Sequence, residues 1–268
     1  MGLFIYFRAR MKRAPMAVCL MLVLVNNACL AQTAGNTENV QQLWFGYFTQ
    51  TRFSNKWGAS VDLQLRTKEN FTDQFSQDLF RGGLTYYIRN NTKLTLGYAY
   101  ASFFPGDNHT KITQPEHRPW QQFQWHTAFT KSRLMQRFRL EERYRRIILN
   151  DSTLGNGYNY NWRFRYNILY EIPLAEKASF FKKLWFVANE EIFINFGKEI
   201  VHNYFDQNRL FIGFKYEATT VSSLQAGYMN VFQELSSGTH YKNINVIRIS
   251  FFQSFDIRKK ENSLHSLK

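Results

Sequence analysis

The chain contains very little cysteine. Its 268 residues include two, Cys19 and Cys29, and both lie in an N-terminal segment that has the features of a secretory signal peptide. The exported protein would then carry no thiol, so we expect neither a disulfide nor a cysteine-bound metal. No two histidines have the close spacing of a metal site and no glycine-rich phosphate loop is present, so no metal and no cofactor are expected.

The chain also lacks an apolar run long enough for a membrane-spanning helix. Its most apolar stretch, residues 14–25, falls well short of the roughly 20 residues that a helix needs to cross a bilayer. Basic residues at positions 8, 10, 12 and 13 precede this stretch, and Ala28 and Ala31 follow it. This order is typical of a secretory signal peptide, and we expect residues 1–31 to be removed by cleavage before Gln32.

No linker rich in proline, glycine or serine divides the remaining chain, which favours a single domain. Removal of residues 1–31 takes away four basic residues and no acidic one, so the formal net charge falls from +14 to +10. A net positive charge of this size indicates anionic partners, such as lipopolysaccharide phosphates or small anionic solutes. Nucleic acid is the usual partner of a basic protein, but export argues against it, and we expect no nucleic-acid partner.

Aromatic residues are abundant, and they alternate with polar ones. The chain has 26 Phe, 15 Tyr and 6 Trp, yet its mean hydropathy is negative. Apolar and polar residues alternate from Trp57 to Arg66 and again from Asn159 to Ile172. A period of two predicts β-strands with one apolar and one polar face. With the weaker cases the sequence contains eleven such segments, at residues 43–53, 57–66, 80–88, 93–104, 120–130, 134–145, 159–172, 184–196, 206–217, 224–232 and 245–255.

The segments are long enough to cross a bilayer when tilted, and short turns alternate with longer polar connections such as 67–76 and 149–158. This pattern predicts an all-β fold, a transmembrane antiparallel β-barrel over residues 43–258, in the outer membrane of a Gram-negative bacterium, with a polar tail at 259–268. Aromatic side chains would then lie at the membrane interfaces, namely Trp57, Tyr98, Tyr100, Trp125, Tyr160 and Tyr216. A soluble β-sandwich or lipocalin-like carrier, whose apolar face points inward, is the alternative.

The number of strands poses a parity problem. If all neighbours are antiparallel, eleven strands cannot close into a barrel, because the first and last run in the same direction. We therefore predict twelve strands, with ten as the alternative, and residues 32–42 would supply an extra strand or lie in the lumen. In the eighth segment the adjacent Glu190 and Glu191 interrupt the alternation, so we expect a β-bulge or an error in the register there.

Several short motifs resemble those of a known bacterial family. They are HRPWQQ at 117–122, RLEERY at 139–144, NEE at 189–191, FDQNR at 205–209 and GYM at 227–229. In order and spacing they are similar to the family catalogued as domain of unknown function 2490, and the similarity spans roughly Trp44 to Arg258. The resemblance implies an outer-membrane β-barrel with no established activity, so no catalytic residue can be carried over.

Basic residues cluster on the polar faces of the sixth and seventh segments. By parity, one wall of the lumen would carry Arg137, Arg139, Arg143, Arg145, Arg163 and Arg165. One interpretation is a constriction that attracts anions, and a conducting lumen would then prefer anions. The other is a packed network, because buried arginine needs paired partners. The candidate counter-charges are Asp62, Glu141, Glu171 and Glu191.

Two functional classes therefore stay open. One is a small channel or solute-binding barrel with a basic lumen, and the other is a closed structural or interaction barrel without transport. A lipid-modifying outer-membrane enzyme is a third class, but we expect no enzyme and no catalytic residue. Of the histidines only His126 lies in the middle of a predicted strand, and no serine stands two residues away.

Overall fold

The computed structural model describes residues 36–106, 110–175 and 183–258. Within these ranges no helix has the length and apolar character needed to cross a membrane. The signal peptide expected at 1–31 and the tail expected at 259–268 lie outside the described residues. The chain forms eleven strands: β1 (Asn36–Arg52), β2 (Trp57–Glu69), β3 (Asp73–Arg89), β4 (Thr92–Phe103), β5 (Gln114–Ala128), β6 (Arg133–Asn150), β7 (Thr153–Pro173), β8 (Leu184–Phe196), β9 (Phe205–Glu217), β10 (Ser222–Glu234) and β11 (His240–Asp256).

The strands pair in sequence order, and the pairing of β1 with β11 closes the barrel. Consecutive strands are antiparallel, whereas β1 and β11 run parallel, with Asn36 opposite His240 and Arg52 opposite Asp256. The described residues therefore contain eleven strands, and the predicted count of twelve, like the alternative of ten, is not confirmed. The premise that both edge strands must meet antiparallel is wrong here. Residues 36–42, expected to add a strand or enter the lumen, form the first part of β1.

The connections define two rims. The turn rim carries the connections after β1, β3, β5, β7 and β9, and the loop rim carries those after β2, β4, β6, β8 and β10. At the loop rim the connections expected at 67–76 and 149–158 are largely strand, because β2 pairs with β3 as far as Glu69 and β6 pairs with β7 as far as Asn150. Pairing satisfies backbone groups that a loop would leave to water.

Most apolar side chains point out of the barrel and most polar ones point into it, as the alternation predicts. On β4, Leu96 is 66% exposed on the outer wall, whereas Arg139 on β6 is 4% exposed in the interior. This polarity is the reverse of that in a soluble carrier barrel.

Strand β8 keeps its alternation where we expected a bulge. Glu191 points into the lumen, and Glu190 lies on the outer face, where its carboxylate accepts a hydrogen bond from the Asn208 amide. The register between β8 and β9 shifts further along, between Phe193 and Ile194. No bulge therefore lies at the paired glutamates, which point to opposite faces of β8, but the register of the same strand is irregular nearby.

One part of the interior is filled by apolar side chains. Phe211 is fully buried, and its ring lies against the paired glycines Gly213 and Gly227. A Cβ atom added at these glycines would lie 2.6 Å and 2.9 Å from the ring. The glycines therefore make room for the ring. The whole cluster contains Val40, Trp44, Val187, Phe211, Met229, Val231, Ile244 and Val246.

Candidate functional site in the barrel lumen

A cavity of about 1620 Å³ runs through the barrel beside the apolar cluster. Thr219 and Ser222 line it at the turn rim, and Asn203 and Ser236 line it at the loop rim. The same cavity therefore reaches both ends of the barrel. The lumen is the candidate functional site because it combines this continuous space with most of the inward-facing charge.

The structure brings the six predicted arginines to one wall and gives each a carboxylate partner. Arg143 and Arg145 bind Glu116, at 2.9 Å and 2.5 Å, and Arg118 binds the same carboxylate. Glu116 is fully buried, so three cations surround one anion near the loop rim. This glutamate lies in β5 at inward parity, in the part of the strand that precedes the predicted segment 120–130.

The other four arginines form a second cluster nearer the middle of the wall. Glu141 accepts hydrogen bonds from Arg163 at 2.6 Å and from Arg165 at 2.7 Å. Arg139 lies 3.8 Å from Glu141 and donates two hydrogen bonds to Gln122.

Acidic residues on β8 and β9 extend this cluster. Glu191 bridges Arg137 and Arg165, at 2.7 Å and 2.8 Å. Asp206 accepts a hydrogen bond of 3.0 Å from the terminal nitrogen of Arg163 that does not bind Glu141. Hydrogen-bonded pairing offsets the cost of removing these charges from water. The geometry therefore matches the packed-network interpretation.

Two of the predicted counter-charges pair elsewhere. Asp62 binds Arg81 at 3.1 Å, and Glu171 binds Lys215 at 2.6 Å. Sequence reasoning missed Glu116 and Asp206 as counter-charges. Extending the alternation of β5 back to position 114 would have found Glu116. Asp206 reaches the lumen through the register shift beside β8, which leaves no clear sequence signal.

Three lumen arginines form no ion pair within 4 Å with a described acidic residue. Arg66, Arg209 and Arg248 line the cavity, and their hydrogen bonds go to side-chain amides and, for Arg248, also to a sulfur. Among the described side chains that line the cavity, fifteen are basic and nine are acidic. Glu141, which is buried behind this lining, is a tenth acidic residue. The lumen therefore carries a positive excess after the network has paired.

His126 lies near the turn-rim end of β5, where it lines the lumen and contacts the Gln124 amide at 2.8 Å. Its position close to the strand end corrects the expected mid-strand location. Across the described part of the chain, no group of three or more His, Cys, Asp or Glu side chains is arranged to hold a metal ion.

The fold and the lumen together define a closed β-barrel with a polar interior. The chain belongs to the family described as "Protein of unknown function (DUF2490)", whose profile matches residues 41–242, and the family resemblance is thereby confirmed. A search of curated proteins found no match. Among solved structures the chain is similar to one described as "NanC porin structure in rhombohedral crystal form", with 11% identity, a TM-score of 0.44, and coverage of 76% of this chain and 94% of that chain.

Proposed function

We propose that this protein is an outer-membrane barrel whose outer wall contacts lipid. Large apolar side chains stand half exposed around the wall, for example Leu63 on β2, Leu84 on β3, Ile212 on β9 and Tyr228 on β10. Water would solvate this surface poorly, and monomeric soluble proteins rarely expose contiguous apolar patches of such extent. A bilayer removes that cost and accounts for the inverted polarity of the barrel.

We further propose that the barrel is a passive channel for small anionic solutes. The observation that carries this proposal is the single cavity that reaches both rims and whose lining is rich in basic side chains. An excess of one charge in a pore with low-dielectric walls raises the local concentration of the opposite ion. No chemical step is required of any residue.

The preference for anions arises from the unpaired arginines and not from the predicted wall. The Arg137–Glu191 and Arg145–Glu116 pairs largely cancel as seen from the lumen, because each guanidinium lies within 2.7 Å of a carboxylate oxygen. Arg66 and Arg209 have no carboxylate oxygen of a described side chain within 4 Å, so their field is cancelled less completely, although Glu191 stands opposite Arg209 in the pairing of β8 with β9. Salt attenuates this field beyond about 10 Å at 0.1 M ionic strength, so it acts mainly on solutes already within the lumen.

Reconstitution into planar bilayers tests the channel. We expect discrete current steps after addition of the folded protein, with none from detergent alone or from heat-unfolded protein at the same dilution. Folded barrels that insert into the bilayer but carry no current would instead support the closed structural class, in which the network and the apolar cluster seal the lumen.

A further inference from the structure

We propose that Trp44, Arg66 and Arg209 form an anion-binding site in the lumen for a small solute that bears a carboxylate or a phosphate group. The site rests on the proposed function only in requiring that such a solute can enter the lumen. It borders the second arginine cluster, because Arg209 and Arg165 both lie 4.4 Å from the centre of the Phe193 ring, and Arg209 is the last residue of the motif at 205–209.

Both guanidinium groups lie against the same indole ring. The guanidinium carbon of Arg66 is 3.8 Å from the centre of the Trp44 ring, and that of Arg209 is 5.0 Å from it. Trp44 and Arg66 are direct partners in the β1–β2 pairing, whereas Arg209 comes from β9, which is separated from β1 by two strands. Gln42 fixes the indole by accepting a 2.7 Å hydrogen bond from its nitrogen.

Neither arginine has a carboxylate oxygen of a described side chain within 4 Å, although Glu191 is the direct partner of Arg209 in the pairing of β8 with β9. Arg66 donates to the Gln77 amide oxygen at 2.7 Å, and its Nε is buried without a hydrogen-bond partner. Arg209 donates through Nε to Gln207 at 2.9 Å, so its two terminal nitrogens keep their capacity to donate. Two like charges that share one ring repel each other, and an anion held between them would relieve this repulsion.

The donor set determines the class of ligand. A guanidinium presents its donors in a planar fork that matches the oxygens of a carboxylate or a phosphate. The indole holds the guanidinium planes by cation–π contact and offers an apolar surface to the carbon skeleton of a solute. Arg66 and Arg209 both line the cavity, so a solute reaches them directly from the lumen.

The test is equilibrium binding by calorimetry on the folded barrel in detergent, with inorganic phosphate and succinate as separate probes and glycerol as the uncharged control. We expect saturable binding of at least one anion and none of glycerol. The Arg66→Gln, Arg209→Gln double variant should bind that anion at least about tenfold more weakly, since it loses hydrogen bonds to a charged ligand. Arg66→Lys should weaken binding less, because it keeps the charge and loses only the fork.

Arg145→Gln is the matched control, because it removes one positive charge from the lumen lining but leaves Glu116 paired with Arg118 and Arg143. It should bind the anion within about twofold of the wild type. Circular dichroism checks that each variant is folded, and the single Arg209→Gln variant replaces the double variant if that one does not fold. The site is refuted if neither anion binds to the wild type, or if the control loses as much affinity as the double variant. A barrel that conducts but does not bind refutes the site alone, whereas one that binds but does not conduct refutes the channel alone.

Discussion

Glu141 is the residue whose removal should cost the barrel most. It is 1% exposed, and its two carboxylate oxygens accept three hydrogen bonds, two from Arg163 at 2.9 Å and 2.6 Å and one from Arg165 at 2.7 Å. The substitution Glu141→Gln keeps the shape of the side chain but removes the charge. It also replaces one carboxylate oxygen by an amide nitrogen, which cannot accept a hydrogen bond from the arginines.

The expected loss follows from the partners that remain. Breaking a buried ion pair by removing one member costs about 3–5 kcal/mol, because a charge is left without a partner. Here Arg163 retains Asp206 and Arg165 retains Glu191, whereas Arg139 loses the carboxylate that lies 3.8 Å away but retains two hydrogen bonds to Gln122, so none of the three arginines is fully stranded. We therefore expect the lower end of that range, about 3 kcal/mol of the free energy of unfolding.

Urea unfolding in lipid vesicles, followed by tryptophan fluorescence, measures this loss. The matched control is Glu142→Gln, the next residue, which points outward and accepts longer hydrogen bonds from the hydroxyls of Tyr144 and Tyr160, at 3.3 Å and 3.5 Å. Its substitution should change the free energy by no more than about 1 kcal/mol. If both variants were equally stable, the network would not hold the wall together as we describe.

Two further substitutions test the packing and the orientation of the faces. Gly213→Ala should lower the free energy of unfolding by about 1–3 kcal/mol, because the added Cβ would lie 2.4 Å from a backbone oxygen of β10. The control Gly82→Ala has open space around its Cβ and should have no such cost. Equal urea midpoints for the two variants would contradict the close approach of β9 and β10. Leu63→Arg on the outer wall should cost about 2–4 kcal/mol in lipid vesicles, and Ser60→Arg in the lumen should cost less. The reverse order in the same urea titration would show that the outer wall does not face lipid.

The strands themselves could be predicted because their signal is local. Each segment with alternating residues overlaps a strand, since a sheet with one apolar face imposes a period of two on its sequence. The ends were predicted less well. The pairing that extends β2 to Glu69 and β6 to Asn150 depends on the partner strand, and the polar residues there equally suit a loop.

The closure and the unpaired cations could not be predicted from the sequence. The parallel contact of β1 with β11 joins residues about two hundred positions apart, and no local pattern specifies it. The same closure brings Arg209 of β9 within reach of Trp44, which the β1–β2 pairing already places beside Arg66, so the proposed anion site depends on it. Parity did place Arg139 and Arg165 in the lumen, but it did not reveal which carboxylates they bind.

The reversal potential across a planar bilayer under a tenfold gradient of potassium chloride tests whether the lumen favours anions over cations. Because the lumen keeps a positive excess after its ion pairs are formed, we expect the wild-type potential to lie on the chloride side of zero and to move toward zero as the overall salt concentration rises. A conducting barrel whose potential lies at zero or on the potassium side would contradict the account.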